Sequence, residues 1–240
     1  NRSTPYHYSV KSWEKWCEKN DCELIEWKDP IMDPNQFPII MQREWVFDIL
    51  EHNNIDYNQV LIVDADTIVH PDCPNFFNET QHEYSAILNN GCYEWVTRSV
   101  RDWGNSLFPN QPLIKTYDYF NTGFVVMNKK HKSFTQKIQE LYLNRGEEIN
   151  IYRDKIKAST GQTIVNFMLQ KYNIKTTKLS EAYNLQDLFK KSLLHIPGHS
   201  WFSDELHFLE AGWVYHFNAI PQNDRHVSYW MERTYKHLYD

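Results

Sequence analysis

Asp64 and Asp66 are the residues of this 240-residue chain whose type and spacing point most directly to chemistry. They stand at i and i+2 where the apolar run Val60-Leu61-Ile62-Val63 stops, and in extended backbone such side chains point to one side. Ligands of open α/β sheets bind beyond the carboxyl ends of strands, which is where this pair would lie. Two converging carboxylates repel unless something positive intervenes. A hard divalent cation with oxygen ligands, itself bridging two phosphate oxygens, removes the repulsion and neutralises a leaving diphosphate. The plainer alternative is a capped turn before Pro71, with Asp66 accepting backbone N–H groups. The flanks favour the cation: four apolar residues precede the pair, and Thr67-Ile68-Val69 and a turn at His70-Pro71 follow it.

Such a pair needs strands and helices to hold it. Val10, Trp13, Trp16 and Cys17 predict an amphipathic helix over residues 8–19, and residues 22–27 alternate as a strand would. Pro30, Pro34 and Pro38 punctuate a loop, and helical spacing returns over 39–52. Residues 60–63 read as a fully buried strand of a parallel sheet. Further strands are predicted at 85–88, 120–127, 174–179 and 213–217, and helices at 134–142, 162–172 and 227–238. Alternating strands and helices imply βαβ units in an α/β sandwich. No linker or repeat divides the chain, so one domain over residues 1–240 is expected. A sheet of this kind normally opens with a hydrophobic strand, whereas Asn1-Arg2-Ser3-Thr4-Pro5 leads straight into a helix and the chain starts without Met. The expectation is a first strand, and the native N-terminus, upstream of residue 1.

Three segments together are more specific than the acidic pair alone. Val60 to Val69 resembles the DxD segment of GT-A fold glycosyltransferases, especially the glycogenin-like and galactinol-synthase-like family 8 group. Tyr119-Phe120-Asn121-Thr122-Gly123-Phe124 is similar to that group's Phe-Asn-(Ser/Thr)-Gly segment, and Val214-Tyr215-His216-Phe217-Asn218 to its late His-Phe segment. The resemblance implies a GT-A (Rossmann-like) αβα sandwich with a mostly parallel central sheet. It implies metal ligation by Asp64, Asp66 and His216, with Mn²⁺ suited to two carboxylates and an imidazole and Mg²⁺ possible. It implies a nucleoside-diphosphate sugar donor (UDP- or GDP-linked) and a carbohydrate or other hydroxyl acceptor. Asn121 would hydrogen-bond sugar hydroxyls, Gln162 would lie beside the sugar, and Gly123 would permit close approach. Asn89 and Asn90 would contact the donor sugar, and Tyr6 and Tyr8 would meet the base from a loop. The chain departs from the group at three places. Gly161 replaces the Asp of an Asp-Gln pair, and Ala219 and Gln222 stand where Gly and Lys follow the His. Arg225 is a possible substitute for that Lys, and donor identity and stereochemistry stay open.

Composition narrows the alternatives. The net charge is −6, and Lys129-Lys130-His131-Lys132 and Lys190-Lys191 are the most basic stretches, so no stripe suits nucleic acid. Cys17, Cys22, Cys73 and Cys92 show no CxxC or zinc spacing and read as reduced thiols. Acceptor patterns for glycosylation occur at Asn1 and Asn78. No run approaches the ~20 apolar residues of a membrane span, and no signal peptide is visible. These absences favour the cytoplasm. Trp95, Trp103, Trp201, Phe202, Trp213, Tyr215 and Phe217 could stack on sugars, but core packing is the commoner use of such rings. His195, His199 and His207 show no metal spacing, and Asp118, Asp102, Glu94 and Asp204 are equivalent candidates for an acceptor base. A haloacid-dehalogenase-like phosphatase would need Thr at position 68, which is Ile. A nucleotidyltransferase would need a Gly-rich phosphate loop. A binding module with a decayed site fits Gly161 and Gln222, but not three intact ligands.

Overall fold

A computed structural model describes residues 6–35, 37–80, 82–194, 205–221 and 226–240. Asn1, His195, His199, Trp201, Phe202, Asp204, Gln222 and Arg225 lie outside the described residues. In chain order the elements are α1 (Tyr6–Lys19), α2 (Ile39–Gln42), α3 (Val46–His52), β1 (Gln59–Val63), β2 (Thr67–Val69), β3 (Tyr84–Leu88), α4 (Tyr93–Leu107), β4 (Phe120–Asn128), α5 (Lys132–Ile156), α6 (Gly161–Lys171), β5 (Thr176–Lys178), β6 (Val214–His216) and α7 (Val227–Tyr239). The fold class is α/β, as expected. No helix among the described residues is long and apolar enough to cross a membrane.

The chain forms two compact units. The first comprises Asn1–Trp27, Val63–Glu79 and Leu179–Asp240, and the second Lys28–Ile62 and Thr80–Lys178.

In the first unit β2 pairs antiparallel with β6, in the register Thr67↔His216, Ile68↔Tyr215 and Val69↔Val214. Ile68, Tyr215, Phe217, Phe208, Trp230 and Met231 close one buried cluster around this pair. Helix α1 packs on β2 through the apolar stripe read from sequence. Trp16 stacks on Phe76 with centroids 4.6 Å apart, and its indole N–H donates to the Cys73 carbonyl at 3.0 Å. The helix ends at Asp21, whose φ of 53° is left-handed, and Cys22 N–H returns to the Cys17 carbonyl at 3.0 Å. The alternation over 22–27 does not become a strand. Alternation makes a strand only where a neighbouring ladder accepts it.

The second unit holds a four-stranded sheet in the order β1-β4-β3-β5. It is mixed: β3 runs antiparallel to β4 and parallel to β5. All nine residues of β4 are buried, as an interior strand requires. All five residues of β1 are only half-buried, because β1 stands at the end of the strand order. Its apolar run therefore marks a strand but not the full burial expected of it. Helix α4 was not expected, although Val96, Val100, Trp103 and Leu107 carry its buried face. Helix α5 runs well past the predicted end, with a break at Arg145 (φ −127°, ψ 22°) beside Gly146.

One carboxyl is buried in this second core. Glu44 is 5% exposed, with Tyr84 and Tyr142 as buried electrostatic neighbours. Burial pushes its pKa up to about 7, against the opposing pull of Arg43. A carboxyl raised in this way contributes stability in full below its unfolded value of about 4.5. That contribution is lost as pH rises through about 7. Glu44→Gln keeps the shape without the titration. We expect it to stabilise the protein by about 2–3 kcal/mol at pH 8 and to flatten the decline between pH 5 and 8, read by urea unfolding at both pH values.

Candidate metal centre

Both carboxylates are carried on the short connection from β1 to β2. Asp64 follows β1 directly, and Ala65 and Asp66 form a turn. The pair therefore converges through a turn, not along the extended backbone assumed from the i, i+2 spacing. Thr67 fixes the turn. Its hydroxyl donates to the Asp64 carbonyl at 2.8 Å and accepts the Trp13 indole N–H at 3.0 Å, so α1 holds the turn through one oxygen.

The β2–β6 register then delivers the third ligand. His216 lies opposite Thr67, and Phe217 N–H extends the ladder to the Asp66 carbonyl at 2.8 Å. His216 Nε2 stands 3.2 Å from Asp66 Oδ1 and 3.8 Å from Asp64 Oδ2. One ligand atom from each of the three residues lies within 4.8 Å of the others. Side-chain exposure is 4% for His216, 25% for Asp66 and 34% for Asp64, so the imidazole forms the floor and the carboxylates the open rim. Burial alone would lower the His216 pKa. The Asp66 carboxylate, its hydrogen bond and Asp64 outweigh burial and raise it. The two carboxylates thus favour positive charge at this point.

The donor set fits a divalent cation of the Mn²⁺ or Mg²⁺ kind. Two carboxylates and one imidazole meet on one side, and the exposed rim leaves positions for water or phosphate oxygens. His216 Nδ1 faces away from the rim, 2.9 Å from Asn184 Oδ1. Asp187, also buried, adds to the field on His216 and is held by Lys190 Nζ at 2.7 Å. Sequence reasoning passed over Asn184, Asp187 and Thr67, because their roles arise only when distant segments meet. Position 219 is informative too. The resemblance expects Gly there, and Ala219 still adopts φ 54°, a left-handed backbone costing a non-glycine residue roughly 1 kcal/mol.

The remaining nominated residues fall into two places. Tyr6 and Tyr8 lie in the first turn of α1 and not in a loop, and Tyr8 packs on Tyr235 of α7 with centroids 5.2 Å apart. Asn121, Gly123, Gln162, Asn89 and Asn90 belong to the second unit. Asn121 Oδ1 accepts Gly123 N–H at 2.7 Å, Gln162 Oε1 accepts Thr122 N–H at 3.1 Å, and Arg43 donates to the Thr122 carbonyl. Gln162 also lies against the buried Tyr119 hydroxyl, and Asn89 Oδ1 is buried with no hydrogen-bond partner among the described residues. Asn90, next to Asn89 in sequence, is half-buried. At Gly161 the nearest atoms to an added Cβ belong to Ile40, the closest being its carbonyl at 3.6 Å, which is ordinary van der Waals contact. Tyr215, Phe217 and Trp103 are wholly buried, which makes them core rather than a sugar platform.

No family model and no curated protein matches the chain. Among solved structures it matches a glycosyltransferase involved in the glycosylation of the major capsid of PBCV-1. The TM-score is 0.60 at 10% identity, over 97% of this chain and 96% of that one. It also matches the glycosyltransferase GlyE of Streptococcus pneumoniae TIGR4, with TM-score 0.48 and 16% identity, over 100% of this chain and 52% of that one. The first likeness gives this chain the fold of a glycosyltransferase. The family 8 grouping rests on its three sequence segments alone.

Thr67→Val tests the buttress. It strips partners from the Trp13 N–H and the Asp64 carbonyl at once, and we expect a loss of about 1–3 kcal/mol in chemical unfolding. Stability equal to wild type would mean that the turn holds without α1.

Proposed function

We propose that the protein is a metal-dependent glycosyltransferase that moves a sugar from a nucleoside-diphosphate donor, UDP- or GDP-linked, to a hydroxyl of a carbohydrate or other acceptor. The observation that carries this reading is the convergence of Asp64, Asp66 and His216 Nε2 at the carboxyl end of β1. The fold shared with a glycosyltransferase of known structure supports it.

In this reading Asp64, Asp66 and His216 hold Mn²⁺ or Mg²⁺, which when bound neutralises the diphosphate as the sugar–phosphate bond breaks. The buried imidazole and the Thr67-braced turn keep the carboxylates from splaying apart, so the donor meets a preformed anion-receiving rim. Asn121 and Gln162 brace the backbone of 121–123, and in this reading Asn121 hydrogen-bonds sugar or acceptor hydroxyls while Gln162 lies beside the sugar. Asn89 Oδ1, buried with no hydrogen-bond partner among the described residues, suits a ligand's hydroxyl. Asn90 and Gly123 would contact the donor sugar, and Tyr6 and Tyr8 the base. Of the carboxylates considered as acceptor base, Asp118 is paired with Lys178 at 2.8 Å and Asp102 with Arg101 at 2.7 Å. Glu94 lies 3.6 Å from Arg98.

A thermal-shift panel of nucleoside diphosphates and nucleotide sugars, each with Mn²⁺ and with chelator, tests the reading. At 100 times its dissociation constant the right ligand adds about 2.7 kcal/mol, a rise of a few degrees. We expect one base to give this shift only with Mn²⁺, and Asp66→Ala to abolish it. A shift unaffected by chelator would remove the metal from the proposal. Binding without metal-dependent donor hydrolysis would mark a sugar- or nucleotide-binding module.

A further inference from the structure

We infer that Asn184 is a positioning residue for the proposed metal centre: its side chain selects the form of the His216 ring that presents the Nε2 lone pair to the cation. This rests on reading Asp64, Asp66 and His216 as a cation site. An amide oxygen can only accept, so Asn184 Oδ1, 2.9 Å from His216 Nδ1, requires a proton on Nδ1. Both residues are buried, and water cannot substitute readily for the contact. With Nδ1 protonated, the neutral ring carries its lone pair on Nε2, the nitrogen aimed at the two carboxylates. A ring free to choose would place its proton on Nε2 part of the time. That ring cannot ligate, and its N–H edge would face the cation.

The backbone holds Asn184 as firmly as it holds the histidine. Trp213 N–H donates to the Ala182 carbonyl at 2.6 Å, Leu185 N–H to the Val214 carbonyl at 2.8 Å, and His216 N–H to the Leu185 carbonyl at 3.1 Å. Leu185 thereby forms a parallel bridge with Tyr215. Asp187 N–H closes the far end on Asn218 Oδ1 at 2.7 Å. The segment 182–187 is thus a ribbon laid along β6 on the edge not used by β2. Its approach is close. A Cβ at Gly212 would stand 3.0 Å from the Ala182 carbonyl, so glycine is what lets the ribbon seat. His216 therefore receives Asp64 and Asp66 from one side of β6 and its orienting acceptor, with Asp187, from the other. Side chains that orient a metal-binding imidazole in this way typically affect affinity about 10–100-fold.

The test uses the full chain with Mn²⁺ alone as probe, titrated by electron paramagnetic resonance of the free ion. Asn184→Leu, close in size but without an acceptor, is expected to weaken Mn²⁺ binding about 10–100-fold. Asn184→Asp, which restores an acceptor for Nδ1–H, is expected to recover most of it. Long-range ¹H–¹⁵N spectra of metal-free wild type are expected to show the neutral His216 ring protonated on Nδ1. Wild-type Mn²⁺ binding with an equally tight, folded Asn184→Leu would overturn the inference and leave the metal site standing. No Mn²⁺ binding by wild type would overturn both. A neutral ring protonated on Nε2 in wild type would overturn the inference without recourse to any variant.

Discussion

Three rungs of antiparallel ladder, between Thr67–Val69 and Val214–His216, hold the candidate site together. Two carboxylates on a tight turn repel one another, and without a partner the turn would open. The ladder brings an imidazole from the far end of the chain to within 3.2 Å of Asp66. Register is decisive here. A slip of one residue would turn His216 to the opposite face and set an apolar or phenolic side chain against the carboxylates. What protects the register is the buried pair Ile68 and Tyr215, which the same slip would remove from the apolar cluster they close and set among Thr67 and His216 instead. The apolar core thus enforces a polar geometry that would not form unaided.

The sequence made legible what depends on local pattern and residue type. Val60 to Val63 ending in Asp64 announces a strand with an acidic pair at its end, and the strand lies where expected. His216 was legible only beside a known segment, since nothing within Val214–Phe217 says which turn it will face. The i, i+2 argument reached the convergence by the wrong geometry: a turn at Ala65-Asp66 brings the carboxylates together, not an extended strand. Helix α4 could have been read from Val96, Val100, Trp103 and Leu107, whose spacing is helical throughout. The half-burial of β1 could not, because an apolar run reports a residue's preference and not its place in the strand order. Asn184 was likewise out of reach. Its significance is one hydrogen bond to a residue 32 positions away.

In the second unit, polar side chains take over work that a sheet usually leaves to its ladder. Asn166 receives Phe120 N–H at 2.7 Å and donates to the Phe120 carbonyl at 2.9 Å, as a neighbouring peptide would. Gln162 and Arg43 hold the two polar groups of Thr122 in the same manner. The start of β4 is therefore fixed from α6 and from the residues between α2 and α3. This accounts for the density of amide side chains here, since an amide, like a peptide group, can both accept from a backbone N–H and donate to a backbone carbonyl.

The first unit is assembled from three stretches of chain, of which the last begins at Leu179. As the polypeptide leaves the ribosome, Asp64 and Asp66 emerge long before the strand that completes them. Until Val214–His216 follow, β2 has neither its ladder partner nor the cluster that buries Ile68. The acidic turn meanwhile stays an uncompensated pair of negative charges beside an exposed apolar edge. Such distant pairings form slowly, and chains waiting for them are prone to wrong association. The three side chains can meet only after β6 has been made, and a chain interrupted before β6 would carry the acidic pair without its imidazole partner.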